Sequence, residues 1–342
     1  MAYTTVPKSS FYFTPTLYVG NGSTKTVTGV PFEPDMTWLK NRSGATDNEI
    51  YDKVRGVGYR IYPNTSAGQD DLGSQGLSAW TSDGFTVGNN GAINGNGNNL
   101  VSWNWKANGQ GSSNTDGTIN STYTSANTTS GCSIVKYTGT GSNASIGHGL
   151  GVKPAMIMIK NLETNGEDWA IYHKSLGGYQ YYLKLNSTSA VSNNTNRFYA
   201  EPTTSVVNIG SVNETNQSGV EFIAYVFAEK TGFSKFGTFT ASNPCFVYTG
   251  FKPAFVMLKR YSATGNWSIL DNKRANSFNP QDPLYANATD AEQTSDDYDL
   301  VSNGFVIRNA SGGGGGDSGS MLYMAFAEEP LVSSNGVAAT AR

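Results

Sequence analysis

The sequence predicts an all-β protein built from three tandem, diverged repeats of β-sandwich or jelly-roll type. Composition, strand punctuation and an internal repeat each point there. The chain has 342 residues with 40 Gly, 19 Tyr and 16 Phe, and only 14% of it is charged. Average soluble domains carry roughly 25% charged residues. Gly, Asn and Ser favour turns, whereas Tyr, Phe, Val and Thr favour strands. An aromatic content of 12% sets the chain apart from disordered sequences, which are poor in aromatics.

The repeat is the strongest of the three signals. PDMTWLK (Pro34 to Lys40), PAMIMIK (Pro154 to Lys160) and PAFVMLK (Pro253 to Lys259) share one template of Pro, five mostly apolar residues and Lys. Proline cannot donate to a ladder, so it suits the start of a strand. Ordered landmarks follow. An aromatic-Ile-acid strand gives Trp267, Ile269, Asp271 in the third copy and Trp169, Ile171, His173 in the second. The first copy has Asn48, Ile50, Asp52, with the Trp lost. An apolar residue then precedes an Asn by three positions: Ile61/Asn64, Leu183/Asn186 and Leu284/Asn287. Phe85, Val207 and Phe305 come next, and closing strands end near Trp105, Phe227 and Phe326. The Lys-to-closing-aromatic separations are 65, 67 and 67 residues.

Alternating apolar residues between Gly/Asn/Asp-rich turns make these half-buried strands. Five or more short strands per copy imply two packed sheets. The slots held by Trp38, Trp105, Met158, Trp169, Phe227, Met257, Trp267 and Phe326 are expected to fill the space between the sheets of each repeat. The implied boundaries are 1–107 for the first repeat, 108–131 for a flexible polar linker, 132–230 and 231–329 for the second and third, and 330–342 for a tail. The short link between the second and third copies predicts that those two dock rigidly. The glycine run Gly312 to Gly316 reads as a mobile loop.

Charge limits the partners. The balance is 23 Lys+Arg against 26 Asp+Glu, with no basic stripe for nucleic acid. No apolar run is long enough to span a membrane, and the N-terminus has no signal-peptide pattern, which leads us to expect synthesis in a cytoplasm. Cys132 and Cys245 are then expected as buried thiols.

No constellation stands out for catalysis. His148 and His173 have no further ligands at metal spacing, so no metal or cofactor is expected. The acid pairs Asp70/Asp71, Asp296/Asp297 and Glu328/Glu329 are adjacent residues, which point to opposite faces of a strand. GGDSGS around Ser318 has no matching His and Asp. Asp52/Arg55 and Asp271/Arg274 recur in DKVR and DNKR and read as local ion pairs. Tyr179, Tyr181 and Tyr182 coat a sheet face or offer a platform for sugar rings.

The strings SIVKYTGTGSNASIGHGLGVKPAMIMIK, FAEKTGFSKFG, FVYTGFKPAFVMLKR, SNGFVIR and YMAFAEE resemble a family of structural proteins from marine tailed bacteriophages. The resemblance covers nearly the whole chain and departs from pattern at Asn48. It implies a concanavalin-like sandwich fold and a non-enzymatic protein on the virion, part of a tail fibre or fibre-like appendage. Its expected partners are other virion proteins, further copies of itself in a trimer, and host-surface glycan. A capsid decoration protein and a carbohydrate-binding module are the alternatives.

Overall fold

In the computed structural model, residues 4–274, 280–293, 297–308 and 319–328 are described. The regular structure is nearly all strand. Among the described residues, helix is limited to two single turns, Gly91–Asn94 and Asn213–Asn216, and two 3-10 turns. The protein is all-β, as the composition predicts.

Three stretches of chain, termed units 1 to 3, each form a large antiparallel sheet with one strand order: lead, closing, Pro-to-Lys, fourth. In unit 1 these strands are Phe13–Val19, Asn99–Trp105, Met36–Asn41 and Glu49–Asp52. In unit 2 they are Cys132–Thr138, Glu221–Phe227, Met156–Asn161 and Ala170–His173. In unit 3 they are Ser234–Thr240, Ser320–Ala327, Pro253–Arg260 and Trp267–Asp271. Each large sheet is backed by a smaller outer sheet. The strand pair common to all three is Lys25–Thr28 with Gly84–Val87 in unit 1, Ala144–Gly147 with Val206–Ile209 in unit 2, and Cys245–Tyr248 with Gly304–Ile307 in unit 3. Phe85, Val207 and Phe305 each lie in the core between the two sheets of their own unit.

The large sheets are buried on both faces. In the closing strand of unit 2, Phe222, Ala224 and Val226 face the unit's own core, while Ile223, Tyr225 and Phe227 face a second core shared by all three units. This corrects the expected placement of the landmark side chains. Trp38, Trp105, Met158, Trp169, Phe227, Met257, Trp267 and Phe326 all lie in the shared core rather than between the sheets of each unit. The period of two gives each strand an inside and an outside. When both are apolar, the pattern does not say which face meets which neighbour. The near-continuous apolar run MIMIKN, buried at every position, is what a doubly covered strand looks like.

At the centre, the three closing aromatics form a triangle. Ring centroids are 6.2 Å apart for Trp105 and Phe227, 5.9 Å for Trp105 and Phe326, and 6.0 Å for Phe227 and Phe326. Three residues at matching positions, nearly equidistant, place an approximate threefold axis between them.

The segment 108–131 is not a flexible linker. It contains the strand Tyr123–Asn127, paired along its length with the lead strand of unit 2. Ile119 forms a parallel bridge to Ile146, and Ser112 bridges Thr124. The Gly and Asn residues supply the turns. At Gly111, with φ of +76°, an added Cβ would meet the Thr124 carbonyl oxygen at 2.3 Å, so only glycine fits. Cys132 is a buried free thiol as expected, but Cys245 is only partly buried. The glycine run Gly312 to Gly316, Asp296, Ser318, Glu329 and the tail 330–342 lie outside the described residues.

Candidate functional site

The most elaborate polar structure in the molecule is a ring of contacts where the units meet. It begins with the lysine that ends each Pro-to-Lys segment. Lys40, Lys160 and Lys259 are buried, and a buried ammonium must find acceptors. Each finds a carbonyl of its own unit and a carbonyl of a neighbour. Lys40 Nζ donates to Thr46 O at 2.8 Å and, in unit 3, to Thr289 O at 2.9 Å. Lys160 Nζ donates to Glu167 O at 2.5 Å and to Ser66 O of unit 1 at 3.1 Å. Lys259 Nζ donates to Gly265 O at 2.5 Å and to Thr188 O of unit 2 at 2.8 Å. The sequence of contacts runs from unit 1 to unit 3, to unit 2, and back to unit 1. Burial pushes all three ammonium groups down to about 8.

The next landmark repeats the pattern. The indole N–H of Trp169 donates to Tyr62 O of unit 1 at 2.9 Å, and that of Trp267 to Lys184 O of unit 2 at 2.9 Å. In unit 1 the slot holds Asn48, whose Nδ2 donates to Tyr285 O of unit 3 at 3.2 Å. The departure at Asn48 therefore preserves the donor. The lost volume is taken up by Trp38, which stands where the other units have methionine and donates to Asn48 Oδ1 at 3.2 Å. The landmark asparagines hold this strand from behind. Asn64, Asn186 and Asn287 accept from the backbone N–H of residues 48, 169 and 267 at 2.9, 3.0 and 2.6 Å.

The charged slot joins the units a third time. Asp52 accepts 2.6 Å bonds from its own Arg55 Nε and from Tyr225 Oη of unit 2. Asp271 accepts from its own Arg274 Nε at 2.6 Å and from the Trp103 indole of unit 1 at 3.0 Å. All of these side chains are buried. Burial works against the Arg55 charge, but the Asp52 carboxylate and the Tyr225 hydroxyl together more than offset it and raise its pKa. Burial and the Asp52 charge push the Tyr225 hydroxyl well up, so it stays a donor. At the third junction every member differs. The residue matching Tyr225 and Trp103 is Met324, which cannot donate, and the acid is His173, with Leu176 in place of the arginine. His173 Nε2 meets Tyr323 O of unit 3 at 3.3 Å, and its ring lies 6.3 Å from that of Phe236. Burial drops its pKa to about 4.

The other sequence candidates do not converge on this ring. The tyrosines Tyr179, Tyr181 and Tyr182 divide between two faces. Tyr181 packs against the shared core, while Tyr179 and Tyr182 pack against the core of unit 2. The Arg197 guanidinium covers the Tyr182 ring at 3.8 Å. His148 is buried, with Nε2 3.3 Å from Thr203 O and Nδ1 accepting from Leu150 N. Asp70 is bound by Arg60, and Asp71 accepts from Gly73 N. Glu328 pairs with Lys252 at 2.7 Å. Asp297 is buried, and its main-chain oxygen accepts from Arg308 N. Among the described residues, no three His, Cys, Asp or Glu side chains are placed to hold a metal ion.

Glu49 is among the buried acids that sequence reasoning missed. Glu49 is enclosed by Arg60 Nη1 at 2.6 Å, Tyr51 Oη at 2.6 Å and Asn90 Nδ2 at 3.0 Å. Burial raises its pKa, with Arg60 opposing. The signal was an acid two residues from a tyrosine in an otherwise buried strand, EIYD, which puts both on one face.

Residues 8–330 match the model of a domain of unknown function, DUF7483. The chain belongs to the DUF7483 family. The match runs through all three units and through 108–131. A search of curated proteins finds no match. Among the described residues, no helix is long and apolar enough to cross a membrane.

Proposed function

We propose that this DUF7483 member is a non-enzymatic structural protein of a bacteriophage virion, part of a tail fibre or fibre-like appendage. One observation carries the non-enzymatic part. The side chains best suited to chemistry, namely Asp52, Asp271, His173 and the three buried lysines, are spent on holding the units together. Catalytic groups need open valences aimed at a substrate. Here every named donor and acceptor already faces a partner in a neighbouring unit. A body that invests its buried polar groups this way is built for shape. We further propose that the three units descend from one copied module, because strand order, lysine, asparagine and donor slots coincide.

The virion assignment rests on the resemblance of SIVKYTGTGSNASIGHGLGVKPAMIMIK and its companion strings to marine phage structural proteins. Because one chain already closes a three-unit ring, contacts with other virion proteins or further copies fall on the outer sheets. Antibody against the purified chain, gold-labelled and imaged on purified phage particles, tests the proposal. Labelling of tail appendages is expected. Absence of the protein from particles by mass spectrometry overturns the virion assignment. Release of reducing ends from host polysaccharide overturns the non-enzymatic reading.

A further inference from the structure

The three outer sheets each have an edge strand in the same place. Val27, Ile146 and Val247 occupy one position, opposite Phe85, Val207 and Phe305. The three edges are finished differently. In unit 1 the edge is polar: Lys25, Thr26 and Thr28 flank the buried Val27, and Thr26 bonds Thr86 at 3.0 Å. Charged and polar side chains are a standard way to keep an edge unpaired. In unit 2 the chain covers the edge itself. Ile119 N donates to Ser145 O at 2.9 Å, Ser145 N donates to Thr118 Oγ1 at 2.8 Å, and Ile119 is buried in the core of unit 2 with Ile146.

Among the described residues, unit 3 has neither device. Its edge strand Cys245–Tyr248 ends the outer sheet, with Phe246 at 52% and Tyr248 at 62% exposure. Phe246 matches Ser145, so its main-chain N–H and C=O point outward as those of Ser145 do. Phe239 and Cys245 are only partly buried against the core beneath, whereas Ile119 is buried within the core of unit 2. Among the described residues, no strand lies on this edge.

We infer that Cys245–Tyr248 is a docking edge for an extended strand of a partner protein. The covered edge of unit 2 states the chemistry of that strand. It is free of proline, small and polar beside Phe246, and carries one branched aliphatic residue that packs on Val247, Phe239 and Cys245. Main-chain bonds to Phe246 supply affinity, and the aliphatic pocket supplies selectivity. This inference stands apart from the virion assignment, since it needs only the three edges.

The test uses the full chain and a labelled synthetic peptide of residues 114–122, NTDGTINST, as the probe. Saturable binding is expected, with slowed amide exchange at Phe246. Phe246→Pro removes the outward N–H and should weaken binding at least tenfold with the melting temperature retained. Should that variant unfold, Phe246→Lys with Tyr248→Lys, copying the polar edge of unit 1, should give the same loss. Replacing the peptide's isoleucine by aspartate should also abolish binding. Three results overturn the inference: no saturable binding at millimolar peptide, equal binding by the edge variants, or dimers formed through this edge that the peptide does not dissociate.

Discussion

Tyr225 of unit 2 donates a 2.6 Å hydrogen bond to Asp52 of unit 1, whose other partner is the buried Arg55. Two units thus share one buried ion pair. Removing a member of such a pair is far more damaging than the pair is stabilising, because a bare charge stays behind. Asp52→Ala should destabilise by about 3–5 kcal/mol, as for broken buried pairs generally. Tyr225→Phe keeps the ion pair and loses one bond, so about 1–3 kcal/mol is expected. Urea denaturation of both variants measures the order, and equal losses would contradict it.

His173 predicts a pH dependence. Burial holds its folded pKa at about 4, below the unfolded value of about 6.5. The unfolded chain binds the extra proton first. The stability associated with the neutral ring is therefore complete above about pH 6.5 and is lost as pH falls towards 4. The loss is on the order of 3 kcal/mol at one pKa unit per 1.36 kcal/mol. His173→Gln should flatten the stability curve in that window, which denaturation at several pH values reads directly.

The third junction also predicts coupling. His173→Asp alone places a buried carboxylate beside Leu176 and Met324, with no donor from either. Adding Leu176→Arg recreates the pair seen at Asp52 and Asp271. The double variant should recover part of the loss, giving an interaction energy of roughly 1–3 kcal/mol in a double-mutant cycle. Additive effects would mean that the three junctions are not equivalent.

Asn48 and Trp38 should likewise behave as a pair. Asn48→Trp overpacks a slot already filled by Trp38, costing about 1–3 kcal/mol. Combining it with Trp38→Met restores the side chains of the other two units, and thermal melts should show recovery.

Much of the fold was legible in the sequence because a landmark needs only its own strand. Pro-to-Lys segments, the Ile50/Ile171/Ile269 strands and the closing aromatics all lie in the strands expected. What the sequence did not reveal was tertiary. Lys40 reads as the end of a strand, and nothing local says that its acceptor Thr289 lies in unit 3. Trp105 and Phe227 read as fillers of separate sandwiches, yet they meet at 6.2 Å. The polar stretch 108–131 reads as a linker because its bonds, such as Ile119 to Ser145, are made to residues far along the chain. Among the buried acids, Glu49 was invisible because Arg60 and Asn90 carry no fixed spacing from it.

Calorimetric unfolding of the intact chain tests the shared core most directly. Three units around the triangle of Trp105, Phe227 and Phe326 cannot open singly without baring that core. A single transition is expected, with calorimetric and van't Hoff enthalpies equal. Two or three resolved transitions would show units that fold separately, and would contradict the ring.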